Sequence, residues 1–497
     1  MSYLGVDIGT SRIKAVLTDN EGAVIRQESL ANEAVEYTED TVEINPTVFL
    51  KSMEHLIGGF SGREDPIRAV NFSCLGTAMI PVDKKGNPLY NGISSLDKRA
   101  RGHLDWNSER GLTPSSIYHT TGQPPHIVAF LHNYLWLRHR HPEIIDATSK
   151  FLSLVGLLVR ALCGQAVTDP SWASRTMLMD IHEREWSPGI LQALSLDIEK
   201  LPRIAAATDA FELSGASSAR FGLNRKTKVL PGSLDSVCTF EGGGGGHGDV
   251  LVDVVGTYEE LMDSSPGACP DSLALARETF YHPGITPDRY LHYQRMETGY
   301  ILKEFFRVFF ESDIQPAVMD SITPEPGGFF ISPDRETLAG IKDGGVPEFG
   351  FNAGDSGSGR LLLLKALLEG ICYRLKDAVA AHEEPGRHIK GLVVIGGGAT
   401  SENLLQMKAN VLDKELYITK YSECSLIGSI ISILIGTGKC SPGGARDAMQ
   451  NPVIRTVKPD MKTAAEYRRR RNGSATFEVG RLWRRDADQR HRERGQL

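Results

Sequence analysis

Apolar and polar positions alternate in the first twenty residues in a pattern that predicts a β-hairpin. In YLGVDIGTSRIKAVLTDNEG, apolar residues alternate with glycine or aspartate from Leu4 to Gly9, which is typical of a half-buried strand. A Gly-Thr-Ser turn follows, then a second β-like run from Ile13 to Leu17, and residues 19–22 provide turn chemistry. Since the glycine turn joins two strands, it differs from a dinucleotide fingerprint or a P-loop, whose turns lead into a helix.

The remainder of the first half has the pattern of an α/β unit. Helical periodicity covers Pro46 to Gly58, His126 to Arg140 and Phe151 to Cys163, and strand-like runs cover Arg68 to Ser73 and Ala78 to Val82. A glycine run, Gly242 to Gly246, then interrupts the chain. It is either a flexible linker or a helix end followed by a tight loop.

The second half opens with the same pattern as the first. Alternation from Val250 to Val255 predicts a strand that enters a Gly256-Thr257 turn. The segment GLVVIGGGATSENLLQMKANVL, from Gly391 to Leu412, predicts a buried strand, a triple-glycine turn and an amphipathic helix. Further helices are predicted over Thr298 to Phe310, Arg360 to Ala380 and Ser422 to Ile435.

Composition narrows the class of protein. The 497 residues suffice for two or three domains, and 41% hydrophobic with 24% charged residues is ordinary for a globular protein. A net charge of −7 argues against nucleic acid as a partner. The chain has neither a signal-peptide pattern nor an apolar run of the roughly 18 residues that a membrane span needs, so no membrane association is expected. Seven cysteines without a CxxC pair fit a reducing, cytoplasmic location.

Three glycine turns, each preceded by a strand, indicate phosphate-binding loops. Glycine lets backbone N–H groups approach a polyanion closely, and Thr or Ser hydroxyls add donors. After Gly398 the N-terminus of a helix adds favourable partial charge. Asp7 would repel phosphate but can hold Mg²⁺ through water, and Lys14 can balance phosphate charge. One glycine turn alone is commonly structural, so the interpretation as nucleotide chemistry depends on the set.

Several segments together resemble the FGGY family of carbohydrate kinases, within the superfamily of actin, hexokinase and the heat-shock chaperone ATPase. DIGTSRIKAVLTD resembles the first phosphate motif, VVGTYEEL the second, and VIGGGATSENLLQ the adenosine motif. PGSLDSV resembles the segment that carries the catalytic base, and NGISSLDKRA the segment that ends in Asp-x-Arg. VTDPSWASRTMLMDIHEREW resembles a segment common in kinases of sugars and sugar acids. The resemblance extends from Tyr3 to Arg471.

The resemblance implies an α/β fold of two ribonuclease-H-like (actin-like ATPase) domains that face each other across a cleft. Residues 1–241 would form the N-terminal, sugar-binding domain, and residues 242–471 the C-terminal, ATP-binding domain. The resemblance does not reach residues 472–497, an arginine-rich tail that we expect to be helical or disordered. The sequence does not decide whether the protein is a monomer or a homodimer.

The resemblance also implies ATP and Mg²⁺ as cofactors and assigns roles to individual residues. Asp235 matches the catalytic base, although an Asp before Ser-Val-Cys also suits the N-cap of a helix, and the two roles are compatible. Asp7 is the expected metal residue. Glu402 is a position where the family often has another residue. The expected cofactor-binding positions are Asp7, Gly9, Thr10, Ser11, Lys14, Gly256, Thr257, Gly397, Gly398 and Glu402.

The sugar side departs from the family pattern. In FSCLGTAM, Leu75 replaces a frequent glutamine, and Gly76 and Thr77 replace the pair that touches sugar hydroxyls. Asp97 matches the Asp-x-Arg position, where it either accepts hydrogen bonds from vicinal hydroxyls or is a solvated loop carboxylate. The expected substrate-binding residues are therefore Gly76, Thr77, Asp97 and Asp235.

The implied function is ATP-dependent phosphorylation of a hydroxyl of a small carbohydrate, with Asp235 as general base. The acceptor would be a ketopentose such as xylulose or ribulose, a polyol, or a sugar acid. The alternative is a catalytically inactive regulator that binds sugar and ATP on the same scaffold. A general base has no use in such a regulator, whereas the altered segment around Gly76 leaves that alternative open.

Overall fold

The structure, a computed structural model, describes residues 2–38, 40–62, 66–76, 78–97, 99–100, 112–125, 129–246, 248–327, 330–331, 356–383, 387–449 and 451–473. The helices are α1 Pro46–Gly58, α2 Pro114–Thr121, α3 Phe130–Arg140, α4 Pro142–Ala147, α5 Leu154–Cys163, α6 Pro170–Ser174, α7 Pro188–Leu194, α8 Gly215–Phe221, α9 Asp235–Gly242, α10 Ser272–Ala276, α11 Thr298–Phe309, α12 Pro316–Asp320, α13 Ser356–Ala380, α14 Glu402–Leu412, α15 Cys424–Gly436, α16 Pro442–Ala448 and α17 Met461–Gly473.

The strands of the first half are β1 Ser2–Ile8, β2 Arg12–Thr18, β3 Val24–Ala31, β4 Val35–Tyr37, β5 Val42–Ile44, β6 Ile67–Cys74, β7 Met79–Val82, β8 Gly92–Ile93, β9 Lys150–Ser153, β10 Val167–Thr168, β11 Met179–Asp180, β12 Glu185–Trp186, β13 Arg203–Ile204, β14 Phe211–Glu212, β15 Lys228–Val229 and β16 Ser233–Leu234. Those of the second half are β17 Val250–Val255, β18 Glu259–Ser265, β19 Phe280–Pro283, β20 Tyr290–Met296, β21 Gly391–Gly396, β22 Glu415–Thr419 and β23 Val453–Val457.

Backbone contacts divide the chain into two compact units, neither of which is a single continuous segment. Unit 1 comprises Met1–Gly245, Asp263–Tyr293 and Glu423–Asn451. Unit 2 comprises Gly246–Met262, Gln294–Ser422 and Pro452–Leu497. The chain passes from one unit to the other within β18 and within β20. The two continuous domains expected from the sequence stay a prediction.

Unit 1 is built on a seven-stranded sheet in the order β14-β15-β6-β1-β2-β3, with β16 paired to β6. The predicted hairpin is present as β1 and β2, in which Asp7 lies opposite Lys14. β6 runs parallel to both β1 and β16. Because parallel strands end at the same edge of a sheet, Asp7, Ser73 and the residue that follows β16 lie side by side.

β1 is buried on both faces, whereas its alternating pattern predicted burial on one face. The apolar residues Leu4, Val6 and Ile8 are fully buried in the unit 1 core. The opposite face is covered by α15, so close that a Cβ on Gly5 would lie 2.4 Å from the Ser429 Oγ. Glycine and aspartate alternate with the apolar residues because the second face receives a helix and not water.

Helices α9 and α15 pack with their backbones almost in contact. A Cβ on Gly242 would lie 2.0 Å from the carbonyl oxygen of Cys424, and one on Gly428 would lie 2.0 Å from that of Cys238. The glycine run therefore begins as the last residue of α9, and residues 243–246 form turns, which agrees with the helix-end interpretation. This contact fixes α15 beside the helix that begins at Asp235.

We expect Gly428→Ala to destabilise the protein, because the new Cβ would overlap a backbone carbonyl that no side-chain rotation can move. Overpacking of this kind typically costs about 1–3 kcal/mol, and rigid backbone puts this site at the upper end. Chemical denaturation of both proteins measures the change. Gly443→Ala is the matched control, since a Cβ on this α16 residue would meet no atom within 4 Å. Equal losses of stability in the two variants would contradict the packing account.

Unit 2 contains β18, β17, β21, β22 and β23 as consecutive neighbours of a sheet. β17 is antiparallel to β18 and parallel to β21, in which Val255 lies opposite Gly396. The turns that follow β17 and β21 therefore lie at the same edge. Two apolar clusters, one centred on α11 and α13 and the other on β17 and β21, form the core.

Glu369 on α13 is buried and accepts a hydrogen bond of 2.6 Å from the N–H of Gly327. Burial raises the pKa of Glu369 to about 7. A carboxyl group whose pKa is raised in the folded state stabilises that state at low pH, and this contribution is lost as the pH rises through the folded pKa. Each pKa unit corresponds to about 1.4 kcal/mol.

We expect Glu369→Gln, which cannot ionise, to gain stability relative to the parent as the pH rises. Thermal unfolding at about pH 5 and about pH 8 should give a melting-temperature difference, variant minus parent, that is larger at the higher pH. The exposed Glu325, changed to Gln, should shift the melting temperature equally at both values. If the melting-temperature difference between Glu369→Gln and the parent did not change with pH, the pKa of Glu369 would not be raised in the folded protein.

Most predicted elements are confirmed, and three segments differ from the prediction or lie partly outside the described residues. The predicted helix from Phe151 to Cys163 starts as strand β9, and α5 begins only after Ser153, whose side chain caps it by accepting the N–H of Gly156 at 2.9 Å. Residues 126–128 of another predicted helix lie outside the described residues. Of the basic tail, residues 472–473 end α17, and residues 474–497 lie outside the described residues.

No helix in the described part of the chain combines the length and the apolar character that crossing a lipid bilayer requires.

Candidate active site

Asp7 lies near the carboxyl end of β1, an inner strand of the unit 1 sheet, among oxygen-bearing side chains. The Ser73 hydroxyl donates a hydrogen bond of 2.7 Å to its Oδ1, and the side chain of Ser425, at the start of α15, makes a second hydrogen bond. Burial raises the pKa of Asp7, whereas these hydrogen bonds and Lys14 oppose the rise. Carboxylate and hydroxyl oxygens are the ligands that suit Mg²⁺, so the chemistry of this set fits that ion.

Lys14 forms an ion pair with Glu423, in which Nζ lies 2.6 Å from Oε2. The two side chains are 33% and 41% exposed, so water screens their attraction. An ammonium group has three donors, and Glu423 occupies one of them. The pair leaves donor capacity on Lys14, and its predicted phosphate contact stays a prediction.

The first glycine turn, residues 9–11, is held by Asn32. The Asn32 side-chain amide donates to the carbonyl of Gly9 at 2.7 Å, and its backbone N–H donates to the carbonyl of Ser11 at 3.0 Å. Ser11 is exposed and Thr10 is partly exposed, and neither hydroxyl makes a hydrogen bond within the described residues. The turn is thus rigid in its backbone and keeps two hydroxyl groups available.

Asp235 directly follows β16 and is the first residue of α9, where the N-cap position belongs to Leu234. The side chain is partly exposed, and its Oδ1 accepts the N–H of Ser236 at 2.8 Å. Burial raises the pKa of the Cys74 thiol well above its usual value, and the negative charges of Asp235 and Asp7 add to this rise. The structure thus brings both carboxylates close to one buried thiol.

A buried hydrogen-bond relay holds the backbone next to Asp235. The N–H of Leu234 donates to the Ser171 Oγ at 2.9 Å, and this hydroxyl donates to the Oδ2 of Asp169 at 2.6 Å. Asp169 caps α6 by also accepting the N–H of Trp172 at 3.0 Å. Burial raises the pKa of Asp169 to about 6, and the hydrogen bonds oppose this rise. Sequence reasoning did not assign Asp169, although Asp before Pro is an N-cap signature.

Asn71 is a second positioning residue that the sequence analysis missed. It is fully buried on β6, and its amide nitrogen donates to the carbonyl of Ser429 on α15 at 3.1 Å. Its amide oxygen accepts the N–H of Gly232, just before β16, at 3.1 Å. One side chain therefore ties the centre of the sheet to α15 and to the strand that leads into Asp235.

Gly76 lies next to Leu234 and thus close to the start of α9. A Cβ on Gly76 would be 3.0 Å from the Leu234 Cδ1 and 3.4 Å from the Nε of Arg175. The indole N–H of Trp172 fixes the preceding residue by donating to the carbonyl of Leu75 at 3.1 Å. Thr77, the other predicted residue of this loop, lies outside the described residues.

Asp97 is fully buried, so the alternative of a solvated loop carboxylate is wrong. Its Oδ2 accepts the N–H of Val42 at 2.8 Å, and its Oδ1 accepts the backbone N–H and the Nε–H of Arg99, each at 2.9 Å. Arg99 also pairs with Glu43 at 2.7 Å and lies over the ring of Trp136. These contacts are separate from those described around Asp7 and Asp235.

In unit 2, the Gly256-Thr257 turn between β17 and β18 is exposed and is supported by α11. The N–H of Tyr300 donates to the carbonyl of Thr257 at 2.9 Å. A Cβ on Gly299 would lie only 2.0 Å from the carbonyl oxygen of Gly256. The backbones of the helix and the turn are therefore so close that no side chain fits between them. The predicted second phosphate turn therefore has a fixed backbone and an exposed threonine side chain.

The triple-glycine turn after β21 lies beside the same strand end. A Cβ on Gly398 would be 2.6 Å from the Val255 Cβ, and one on Gly397 would be 3.8 Å from the Val255 carbonyl oxygen. The structure thus brings Gly397 and Gly398 to the edge that carries Gly256 and Thr257. Glu402 begins α14, is largely exposed and forms an ion pair with Arg455.

Two family models match the chain. The N-terminal domain of the FGGY family of carbohydrate kinases matches residues 2–242, and the C-terminal domain of that family matches residues 311–436. The chain belongs to the FGGY family of carbohydrate kinases. The predicted family and the predicted enzyme class, a carbohydrate kinase, are thereby confirmed.

Curated relatives and solved structures agree with the family. The chain is 25% identical to the gluconokinase of Bacillus subtilis (strain 168), over 94% of this chain and 93% of the relative. It is 24% identical to the xylulose kinase of the same organism, over 88% of this chain and 89% of the relative. A ligand-bound xylulose kinase from Lactobacillus acidophilus superposes with a TM-score of 0.80 at 21% identity, over 94% of this chain and 96% of that chain. The predicted α/β, actin-like ATPase fold class is confirmed.

Proposed function

We propose that this chain transfers the γ-phosphoryl group of ATP to a hydroxyl of a small carbohydrate, with Asp235 as the general base. The observation that carries the proposal is the presence of Asp7 and Asp235 at the ends of strands at one edge of the unit 1 sheet, where both charges act on Cys74. In phosphoryl transfer, one carboxylate can hold the metal ion and the other can accept the proton of the acceptor hydroxyl.

The proposed role of Asp235 is to accept the proton of the attacking hydroxyl. Its place in the first turn of α9 puts its carboxylate near the N-terminus of a helix, which carries positive partial charge. The relay through Ser171 and Asp169 restrains the adjoining backbone, and such restraint matters because positioning supplies much of the rate in phosphoryl transfer.

Asp7, supported by Ser73 and Ser425, is the proposed residue for Mg²⁺, which would neutralise phosphate charge when bound. The first turn, with Gly9, Thr10, Ser11 and Lys14, is the proposed phosphate contact in unit 1. In unit 2, the proposed nucleotide contacts are Gly256, Thr257, Gly397, Gly398 and Glu402. Of these, Glu402 has the weakest support, since its ion pair with Arg455 already occupies it.

The proposed acceptors are a ketopentose such as xylulose or ribulose, a polyol, or a sugar acid. Relatives named gluconokinase and xylulose kinase, at similar identities, support keeping both a sugar acid and a ketose. In addition to Asp235, the proposed sugar-binding residues are Gly76, Thr77 and Asp97. A carboxylate has about four acceptor positions. Donors of the described residues occupy three of these positions in Asp97, so a sugar hydroxyl would compete for the remaining one.

The experiment is a comparison of ADP release with a panel of pentuloses, hexuloses, tetritols and aldonates, at saturating Mg²⁺ and ATP. We expect one class of acceptor to stimulate ADP release well above the rate without acceptor. Tight ATP binding with no stimulation by any acceptor would favour the inactive regulator instead.

A further inference from the structure

Unit 2 contains a buried network of charged side chains that the proposed function leaves unused. Lys408 on α14 places its Nζ 2.8 Å from the Oδ2 of Asp253 and also pairs with the Oε1 of Glu259 at 2.5 Å. All three side chains are at most 1% exposed. Burial raises the pKa of Asp253 to about 7, and the charge of Glu259 adds to this rise whereas Lys408 opposes it.

Stability alone is a poor explanation for this network. Taking ionised groups out of water costs several kcal/mol per ion, and apolar residues of the same volume are often equally stabilising in such places. The Oδ1 of Asp253 is buried and lacks a hydrogen-bond partner within the described residues, which adds to the cost. In some proteins a buried charged network instead specifies one arrangement of the elements that it joins.

The elements joined by the network are those that carry the nucleotide turns. Lys408 belongs to α14, the helix that follows the triple-glycine turn, and Glu259 is the first residue of β18, just after the Gly256-Thr257 turn. The other oxygen of Glu259, Oε2, accepts a hydrogen bond of 2.5 Å from the Thr298 hydroxyl at the start of α11. The next two residues of α11 form the backbone support of the Gly256-Thr257 turn.

We propose that Lys408 is a positioning residue for the nucleotide, which fixes the Gly256-Thr257 turn relative to the triple-glycine turn through Glu259 and Thr298. This inference rests on the proposed function. Lys408 is buried and acts through its neighbours, so it touches no phosphate itself. Loss of the network would let the turn shift, and misplacement of a positioning element by about 1 Å can reduce activity about 10²-fold.

The test measures binding of Mg²⁺-ADP and of the best carbohydrate acceptor by calorimetry in two variants. Lys408→Met removes the cation and keeps the length of the side chain. Thr298→Val keeps the charged network and the shape of the side chain, but removes its link to α11. Both variants should bind Mg²⁺-ADP at least about tenfold more weakly, with carbohydrate affinity unchanged.

Lys414→Met is the matched control, because Lys414 follows α14 and pairs with Glu383 at 2.7 Å, away from both turns. It should bind Mg²⁺-ADP like the parent. Parent-like nucleotide affinity in a folded Lys408→Met would overturn the proposal, and if that variant does not fold, parent-like affinity in Thr298→Val would do so. If the unmodified protein fails to bind Mg²⁺-ADP, the proposed function fails instead, which keeps the two outcomes distinct.

Discussion

Asp235→Asn is expected to lower kcat by about 10²–10⁴-fold on the best acceptor, the range typical of losing a general base. This corresponds to roughly 3–5 kcal/mol of activation free energy. Asn is nearly the same size and can still accept the N–H of Ser236, so the start of α9 should persist. Carbohydrate binding should survive while the chemical step slows, and steady-state kinetics with calorimetric binding measures both.

Asp447→Asn is the control for this experiment, since Asp447 is an exposed carboxylate of α16 in the same unit. It should leave kcat unchanged. Near-normal turnover of Asp235→Asn would show that Asp235 is not the general base. Asp97 would be a poor replacement, because three protein donors already bind its carboxylate.

Asp7→Asn is expected to weaken the hold on Mg²⁺ by at least about tenfold, since even the loss of a group that supports a metal ligand typically costs 10–100-fold in metal affinity. The amide oxygen can still accept the Ser73 hydroxyl, so the local fold should remain. The reaction rate should therefore recover partly at high Mg²⁺ concentration. A titration of rate against Mg²⁺ for both variants measures this.

The two aspartate variants should respond differently to magnesium. Asp235→Asn lacks the proton acceptor, so added Mg²⁺ should not restore its rate. If Asp7→Asn were equally insensitive to Mg²⁺, or if Asp235→Asn were rescued, the separation of metal and base roles would be wrong.

The features that local patterns encode were predictable from the sequence. The hairpin of β1 and β2, the strand before the Gly256-Thr257 turn and the strand, turn and helix from Gly391 to Leu412 each depend on residues that are neighbours in the chain. Turn glycines and alternation suffice for such elements, because the backbone conformation is decided within a few residues.

Contacts between distant segments were not predictable in the same way. The second face of β1 is covered by α15, about 420 residues further along, so its alternation suggested water where a helix packs. The same is true of Asn71, whose partners Ser429 and Gly232 lie far away in sequence. The change from strand β9 to helix α5 at Ser153 was missed even though it is local, because a continuous apolar run does not distinguish a buried strand from a helix.

Asp169 and Lys408 were missed for a different reason. Each acts through another residue. Asp169 lies in a quoted segment and precedes a proline, which indicates a helix cap but not its link to Ser171 and Leu234, and no motif marks Lys408. Their roles follow only from burial combined with specific hydrogen-bond partners, which the sequence does not reveal. Positioning residues of this kind need coordinates to be found.

Phosphoryl transfer to a carbohydrate can be observed by following the phosphorus atoms of ATP with ³¹P NMR, using the acceptor that best stimulates ADP release. We expect a phosphate-ester resonance that grows in step with ADP in the unmodified protein, and far more slowly in Asp235→Asn. Formation of ADP with inorganic phosphate alone, in the presence of a bound acceptor, would contradict phosphoryl transfer to a carbohydrate hydroxyl.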